Sequence, residues 1–170
     1  AMMTFFGHAS TSGGFDINID HPSNWPNQNG KYPLVMGLAC HTGDVHTALG
    51  NSTSEEYVLI DDKGAIAFLA GVDLGVPGPL SNYAREFYKN LAYKNYKGSL
   101  GLSIKNAILA TQSPFSSISL LSNSSALSMT LHGDPALSLN GFELPDYMIQ
   151  NSSVTFNPSI ITSDIDSFEV

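Results

Sequence analysis

Two side chains in this sequence have the types and the spacing for covalent chemistry. Cys40, the only cysteine, closes the apolar run Tyr32-Pro33-Leu34-Val35-Met36-Gly37-Leu38-Ala39 and is followed by His41-Thr42-Gly43. Thirty-two positions earlier the run Met2-Met3-Thr4-Phe5-Phe6 ends in the same way at Gly7-His8-Ala9. Each segment reads as a buried strand that delivers one reactive side chain at its C-terminal end. In open parallel sheets the carboxyl ends of the strands are where ligands bind. A free thiol ionises near pH 8.5, so only a few per cent is thiolate at pH 7. An adjacent imidazole can raise that fraction or take the proton during attack. Cys40 and His8 are therefore candidates for nucleophile and base. The competing reading is a buried structural thiol, since free cysteine is among the most buried residue types, and a hydrogen-bonded strand-end histidine.

Four apolar strands must hold such a pair. Residues 2–7 and 32–40 are the first two, and Ala65-Ile66-Ala67-Phe68-Leu69-Ala70-Gly71 is the third. Ser128-Met129-Thr130-Leu131-His132 is the fourth. Between them, residues 54–63 read as a helix opened by Ser54 with Glu55 and Glu56 in its first turn. Residues 80–97 and 99–112 carry apolar residues near 3.6 spacing and read as two more helices. Residues 9–31, with Gly13-Gly14, Pro22, Pro26 and Gly30, form a long loop that also holds the only tryptophan, Trp25. The Ser-rich residues 113–126 are ambiguous. The β–α alternation predicts an α/β domain with a mostly parallel sheet flanked by helices. Its four strands begin at residue 2, so the sheet reads as incomplete on its N-terminal side. After Gly141 short alternating segments suggest a β-rich tail. The expected division is residues 1–140 and 141–170.

The chain has 170 residues, 42% of them hydrophobic, enough for one domain core and a small extra piece. Its formal charge of −8 argues against nucleic acid and anionic membrane surfaces as partners. Only 13% of residues are charged, below the usual quarter, and Ser, Asn, Gly and Thr fill the difference, a composition common in exported proteins. No run reaches the roughly 18 apolar residues of a membrane helix, so membrane insertion by this segment is not expected. One cysteine permits no internal disulfide. The chain opens directly on a strand, and the expectation is a piece of a longer exported protein.

Four motifs together resemble the gingipain-type cysteine peptidases. Phe6-Gly7-His8-Ala9-Ser10 is similar to their Gly-His-Gly-Ser element, and Leu38-Ala39-Cys40-His41-Thr42-Gly43 to their small-residue–Cys element. Lys63-Gly64-Ala65-Ile66-Ala67-Phe68-Leu69-Ala70-Gly71 resembles the strand that follows, and Leu131-His132-Gly133-Asp134-Pro135-Ala136-Leu137 the Gly-Asp-Pro segment near that domain's end. Order and spacing agree over roughly residues 2–140. Two departures stand out: Ala9 occupies a position where the family usually has Gly, and the family's peptidase domain normally begins well upstream of the matching His. The resemblance implies a caspase-like fold and a hydrolase acting on polypeptides, either by proteolysis or by the transpeptidation of the surface sortases of type IX secretion systems. It also implies a bacterial protein exported to the cell surface, outer membrane-associated or extracellular, with residues 141–170 as the start of a β-sandwich. The alternative is a catalytically inactive caspase-like binding or structural module of such a protein.

In that reading Cys40 attacks the peptide carbonyl and His8 protonates the leaving amine. The backbone N–H groups of Cys40 and Ala9 form the oxyanion hole. Glu55 and Glu56 are candidates for an acidic third member or for the cleft wall. Gly71, Val72 and Asp73 should border the substrate cleft, with Asp73 a candidate reader of a basic side chain, and Trp25 a candidate pocket wall. No cofactor is called for. Cys40, His41 and His46 do not match common zinc spacings and lack a second cysteine, so no metal site is expected. An unpaired sheet edge makes a homodimer through that edge an expectation.

Overall fold

The computed structural model describes residues 1–11, 14–17, 19, 21–27, 30–46, 50–112 and 117–143, with side chains omitted at 117–119. Ala1–Asn140 form one compact unit and Gly141–Val170 a second. The β-rich character expected for residues 141–170 falls almost entirely outside the described residues.

The first unit is built on a four-stranded sheet in the order β1-β4-β5-β6, comprising β1 (Met2–Phe6), β4 (Leu34–Leu38), β5 (Ala67–Gly71) and β6 (Met129–His132). Between β1 and β4 a small antiparallel ladder joins β2 (Ala9–Ser10) to β3 (Gly14–Phe15). β1, β4 and β5 run parallel, and β6 is antiparallel to β5. β4 and β5 are buried at every residue, as expected of central strands covered on both faces, which is why Leu34-Val35-Met36-Gly37-Leu38 and Ala67-Phe68-Leu69-Ala70-Gly71 read as continuous apolar runs. β1, expected from its apolar run to be buried, lies at the edge of the sheet and is mostly exposed, because only β4 pairs with it. β6 follows Ser128 with no intervening loop, so it lacks the single-helix crossover that sets neighbouring strands parallel.

Alternation along the strands splits the core in two. Leu34, Met36, Leu38 and Leu69 face one side, where Tyr83 and Phe87 cover them. Val35, Phe68 and Ala70 face the other, against Tyr57 and the partly buried Phe15 and Trp25. The first face is covered chiefly by α2 (Pro77–Lys89) and α3 (Leu100–Thr111), with α4 (Ser117–Ser128) adding Ala126. The second is covered by α1 (Thr53–Val58) and the segment following β3.

The helices start where their residues satisfy the free N–H groups. Ser52 Oγ accepts the Glu55 N–H while Glu55 Oε2 accepts the Ser52 N–H at 2.7 Å, a reciprocal cap for α1. Pro77 opens α2, where a missing N–H costs nothing. Ser99 Oγ accepts the Leu102 N–H at the start of α3. Several boundaries differ from expectation. α1 runs Thr53–Val58, not 54–63, and its cap is Ser52 and not Ser54, because Ser52 stands three residues before Glu55 and so closes the reciprocal cap. α2 begins three residues earlier than its apolar spacing suggests, because Pro77 supplies the first turn, and it passes at Asn90 into a π-helical stretch to Lys94. The ambiguous Ser-rich segment contains α4, whose Leu120, Leu121 and Leu127 stay exposed while small residues Ser125 and Ala126 pack inward. That inversion hides the usual apolar periodicity. At the end of the unit, Asp134 Oδ1 accepts the Ala136 N–H at 2.8 Å, the turn that Gly-Asp-Pro chemistry predicts. Among the described residues no helix is long and apolar enough to cross a membrane.

Candidate active site

Register decides whether two strand ends can cooperate. In the β1–β4 pair, Phe6 is opposite Leu38. His8 and Cys40 each follow by two residues, so both chains emerge from the sheet at the same level. The Gly7 N–H still donates to the Leu38 carbonyl at 3.3 Å, extending the pairing one step beyond the strand. His8 and Cys40 then border one cavity of about 250 Å³, together with Leu38, Gly75, Pro77 and Leu80. His8 is exposed and Cys40 partly buried. The structure brings the two side chains to a shared space at the carboxyl end of a parallel sheet.

The turn after Cys40 is tied to the loop after β5. His41 adopts φ 55°, a left-handed conformation uncommon for a residue with a side chain. Its N–H donates to the Asp73 carbonyl at 3.1 Å, and its ring Nδ1 lies 3.3 Å from the Val72 carbonyl, a hydrogen bond when Nδ1 carries the proton. The Gly43 N–H donates to the Gly71 carbonyl at 3.0 Å. Gly is required there, since a Cβ would sit 2.9 Å from the Ala70 carbonyl oxygen. The strap closes on the thiol itself, because the Gly75 N–H donates to Cys40 Sγ at 3.3 Å.

Around His8 the backbone turns into β2. The Asp16 N–H donates to the His8 carbonyl at 2.9 Å, which makes Ala9 and Phe15 the non-hydrogen-bonded pair of the β2–β3 ladder. The Ala9 N–H is therefore turned away from β3.

The other residues singled out from sequence take up separate positions. Gly71, Val72 and Asp73, expected to border the substrate cleft, meet the turn after Cys40 through their carbonyls and do not line the cavity. The Asp73 carboxylate accepts the Leu74 N–H at 2.7 Å and does not line the cavity. Glu55 is committed to the α1 cap, and the Ser52 N–H holds its carboxyl below its ordinary range. Glu56 faces His21, at 3.9 Å from Nε2, and with it lines another cavity of about 390 Å³ against Phe15, Ile17 and Tyr57. Trp25 packs edge-on to Tyr57 with ring centroids 5.2 Å apart and borders a third, apolar cavity of about 140 Å³. None of Glu55, Glu56 and Trp25 lines the space shared by Cys40 and His8. Among the described residues no three His, Cys, Asp or Glu side chains converge as a metal-ion site.

Sequence reasoning missed Gly75, Leu38, Phe6, Pro77 and Leu80 as parts of the site. The only signal for them was the Gly- and Pro-rich stretch 71–79 after the third strand, and the two-residue spacing that puts Leu38 on the face of Cys40.

The family model of peptidase family C25 matches residues 1–140. Among solved structures, the Arg-specific cysteine proteinase gingipain R (RGPB) superposes with a TM-score of 0.67 at 20% identity, over 81% of this chain and 33% of that one. A second, described only as a protease, superposes with a TM-score of 0.64 at 15% identity, over 87% of this chain and 39% of that one. At these identities the likeness is one of fold, the mostly parallel, helix-flanked sheet of the gingipain peptidase. The chain spans about a third of the length of the gingipain R it matches. No curated protein matches it.

Proposed function

The chain belongs to peptidase family C25, and on that premise we propose that residues 1–140 carry the nucleophile and the acid–base group of a cysteine peptidase acting on polypeptides. The observation that carries this reading is the level placement of Cys40 and His8 on neighbouring parallel strands, bordering one cavity.

Cys40 Sγ adds to the peptide carbonyl carbon as its proton passes to His8. The tetrahedral oxyanion is met by the backbone N–H groups of Cys40 and Ala9, each such donor being worth roughly 3–4 kcal/mol. His8 returns the proton to the leaving amine as the C–N bond breaks, leaving a thioester on Cys40. Water resolves the thioester in proteolysis, and a second amine resolves it in sortase-like transpeptidation. Both outcomes use the same two side chains. The Gly75 N–H, which donates to Cys40 Sγ, orients the sulfur for attack and meets it again when it departs.

The same reading makes the chain part of an exported bacterial protein at the cell surface, of the kind delivered by type IX secretion. Its low charge content and its Ser- and Asn-rich composition support that. A homodimer through the exposed β1 edge belongs to the same proposal and is checked by light scattering.

The test of the dyad is alkylation of Cys40 by iodoacetamide at pH 6.5, where an ordinary thiol is ~1% thiolate. The expected rate exceeds that of an unstructured peptide thiol by about tenfold or more, and His8→Ala removes most of the excess. Equal, slow rates in both proteins would mean that the pair does not function, and the chain would then be a non-catalytic module on the same fold.

A further inference from the structure

We propose that the cavity beside Cys40 receives the substrate side chain on the acyl side of the cleaved bond, and that it selects an apolar side chain over a basic one. This rests on the cysteine peptidase reading above. When Sγ bonds to a peptide carbonyl, the side chain nearest the sulfur is that of the residue donating the carbonyl. It must enter space bordered by Cys40. The cavity shared by Cys40 and His8 measures about 250 Å³, under the roughly 300–1,000 Å³ of pockets that take a whole small molecule. That size suits a single side chain.

Its walls set the preference. Besides the reacting pair, they are Phe6, Leu38, Pro77 and Leu80 with the glycines 7 and 75, and none of these carries a charge or an amide. Leu38 precedes Cys40 by two residues, so the strand alternation puts both on one face, and Leu38 is buried. Phe6 stands in the same relation to His8, half exposed as the outer wall. Pro77 and Leu80 come from the first turn of α2. The acid nearest along the chain, Asp73, spends its carboxylate on the Leu74 N–H and lies off the wall. A guanidinium or ammonium entering here meets no counter-ion among the described lining residues and shares the space with His8, which is cationic when it acts as the acid. Burying an unpaired charge is costly, whereas an aliphatic or aromatic side chain gains by leaving water.

The experiment compares two peptidyl chloromethyl ketones, identical except for Leu or Arg at the ketone residue, on the full chain. Each forms a thioether at Sγ as chloride leaves, and intact mass follows the rate. Chloroacetamide serves as the reference without a peptide. The expected result is labelling by the Leu probe about tenfold or more faster than by the Arg probe. In Phe6→Glu, which changes a half-exposed edge residue, that ratio falls severalfold. Equal rates for the two peptides, or a faster Arg probe, overturn the apolar subsite and leave the peptidase reading standing. Peptide probes no faster than chloroacetamide overturn both.

Discussion

His8 and Cys40 stand level with each other because Phe6 and Leu38, two residues before them, are paired in the parallel ladder. The relationship is fixed by backbone hydrogen bonds and does not depend on either side chain. Substituting one should leave the other in place, so function and fold can be separated experimentally.

The first consequence concerns His8. It is exposed and belongs to neither core cluster. His8→Ala should lower kcat/KM on a cleavable peptide by about 10²–10⁴-fold, the usual range for a lost acid–base group. Thermal unfolding should stay within about 2 °C of the parent. A variant that keeps full activity would remove His8 from the mechanism.

Gly75 is the second. A Cβ there would lie 2.8 Å from Leu80 Cδ1 and 3.2 Å from the Ala39 carbonyl carbon. Leu80 can rotate away, but the Ala39 backbone cannot, so Gly75→Ala should shift the loop and draw its N–H off Cys40 Sγ. Alkylation of Cys40 at pH 6.5 should slow severalfold, with a stability loss of about 1–2 kcal/mol by urea titration. Unchanged alkylation with reduced stability would show that the N–H to sulfur bond is only structural.

Tyr83 tests the core. It is fully buried and stacked on Phe87 with centroids 6.4 Å apart, and its hydroxyl has no hydrogen-bond partner among the described residues. Burial pushes its ionisation far above the ordinary range. Tyr83→Phe removes an unsatisfied polar atom and keeps the ring, so stability should rise by about 1 kcal/mol, or roughly 2–4 °C in Tm. A fall of similar size would mean that the hydroxyl is bonded in solution.

Acid should weaken the fold in two windows. Burial lowers His132 below its ordinary 6.5, with Glu55 opposing the shift. The unfolded chain therefore takes that proton first, and stability is lost as pH falls below about 6.5 towards the folded value. Glu55 is held below 4.5, first by the Ser52 N–H. Its contribution is present above about 4.5 and lost as pH falls through the folded value. Urea midpoints should show His132→Gln losing less stability than the parent between pH 7.5 and 5.5. Glu55→Gln should flatten the decline only below about pH 4.5. A parent protein with a constant midpoint from pH 7.5 to 5.5 would contradict the His132 assignment.

Much of this was legible along the chain. The apolar runs ending at His8 and Cys40 determined two strands with reactive C-terminal ends, though only the second is buried, and the βα alternation determined a mostly parallel sheet, because a strand covered on both faces cannot hide its composition. The Asp134 turn is local chemistry and follows from sequence in the same way, whereas the cap of α1 was assigned to Ser54 and is made by Ser52, the serine three residues before Glu55. α4 was not legible, because its inward residues are Ser125 and Ala126 and its leucines point out. Glu55, Glu56 and Trp25 were assigned to the site by type, yet they lie away from the cavity bordered by Cys40 and His8. What the tertiary structure alone decided is the register that levels His8 with Cys40, and the closure of the residue 72–75 loop on the thiol. Both are contacts between segments about thirty residues apart in sequence. Such contacts are set by which strands pair and which backbone groups remain to be satisfied once they have paired, and local pattern carries no record of that.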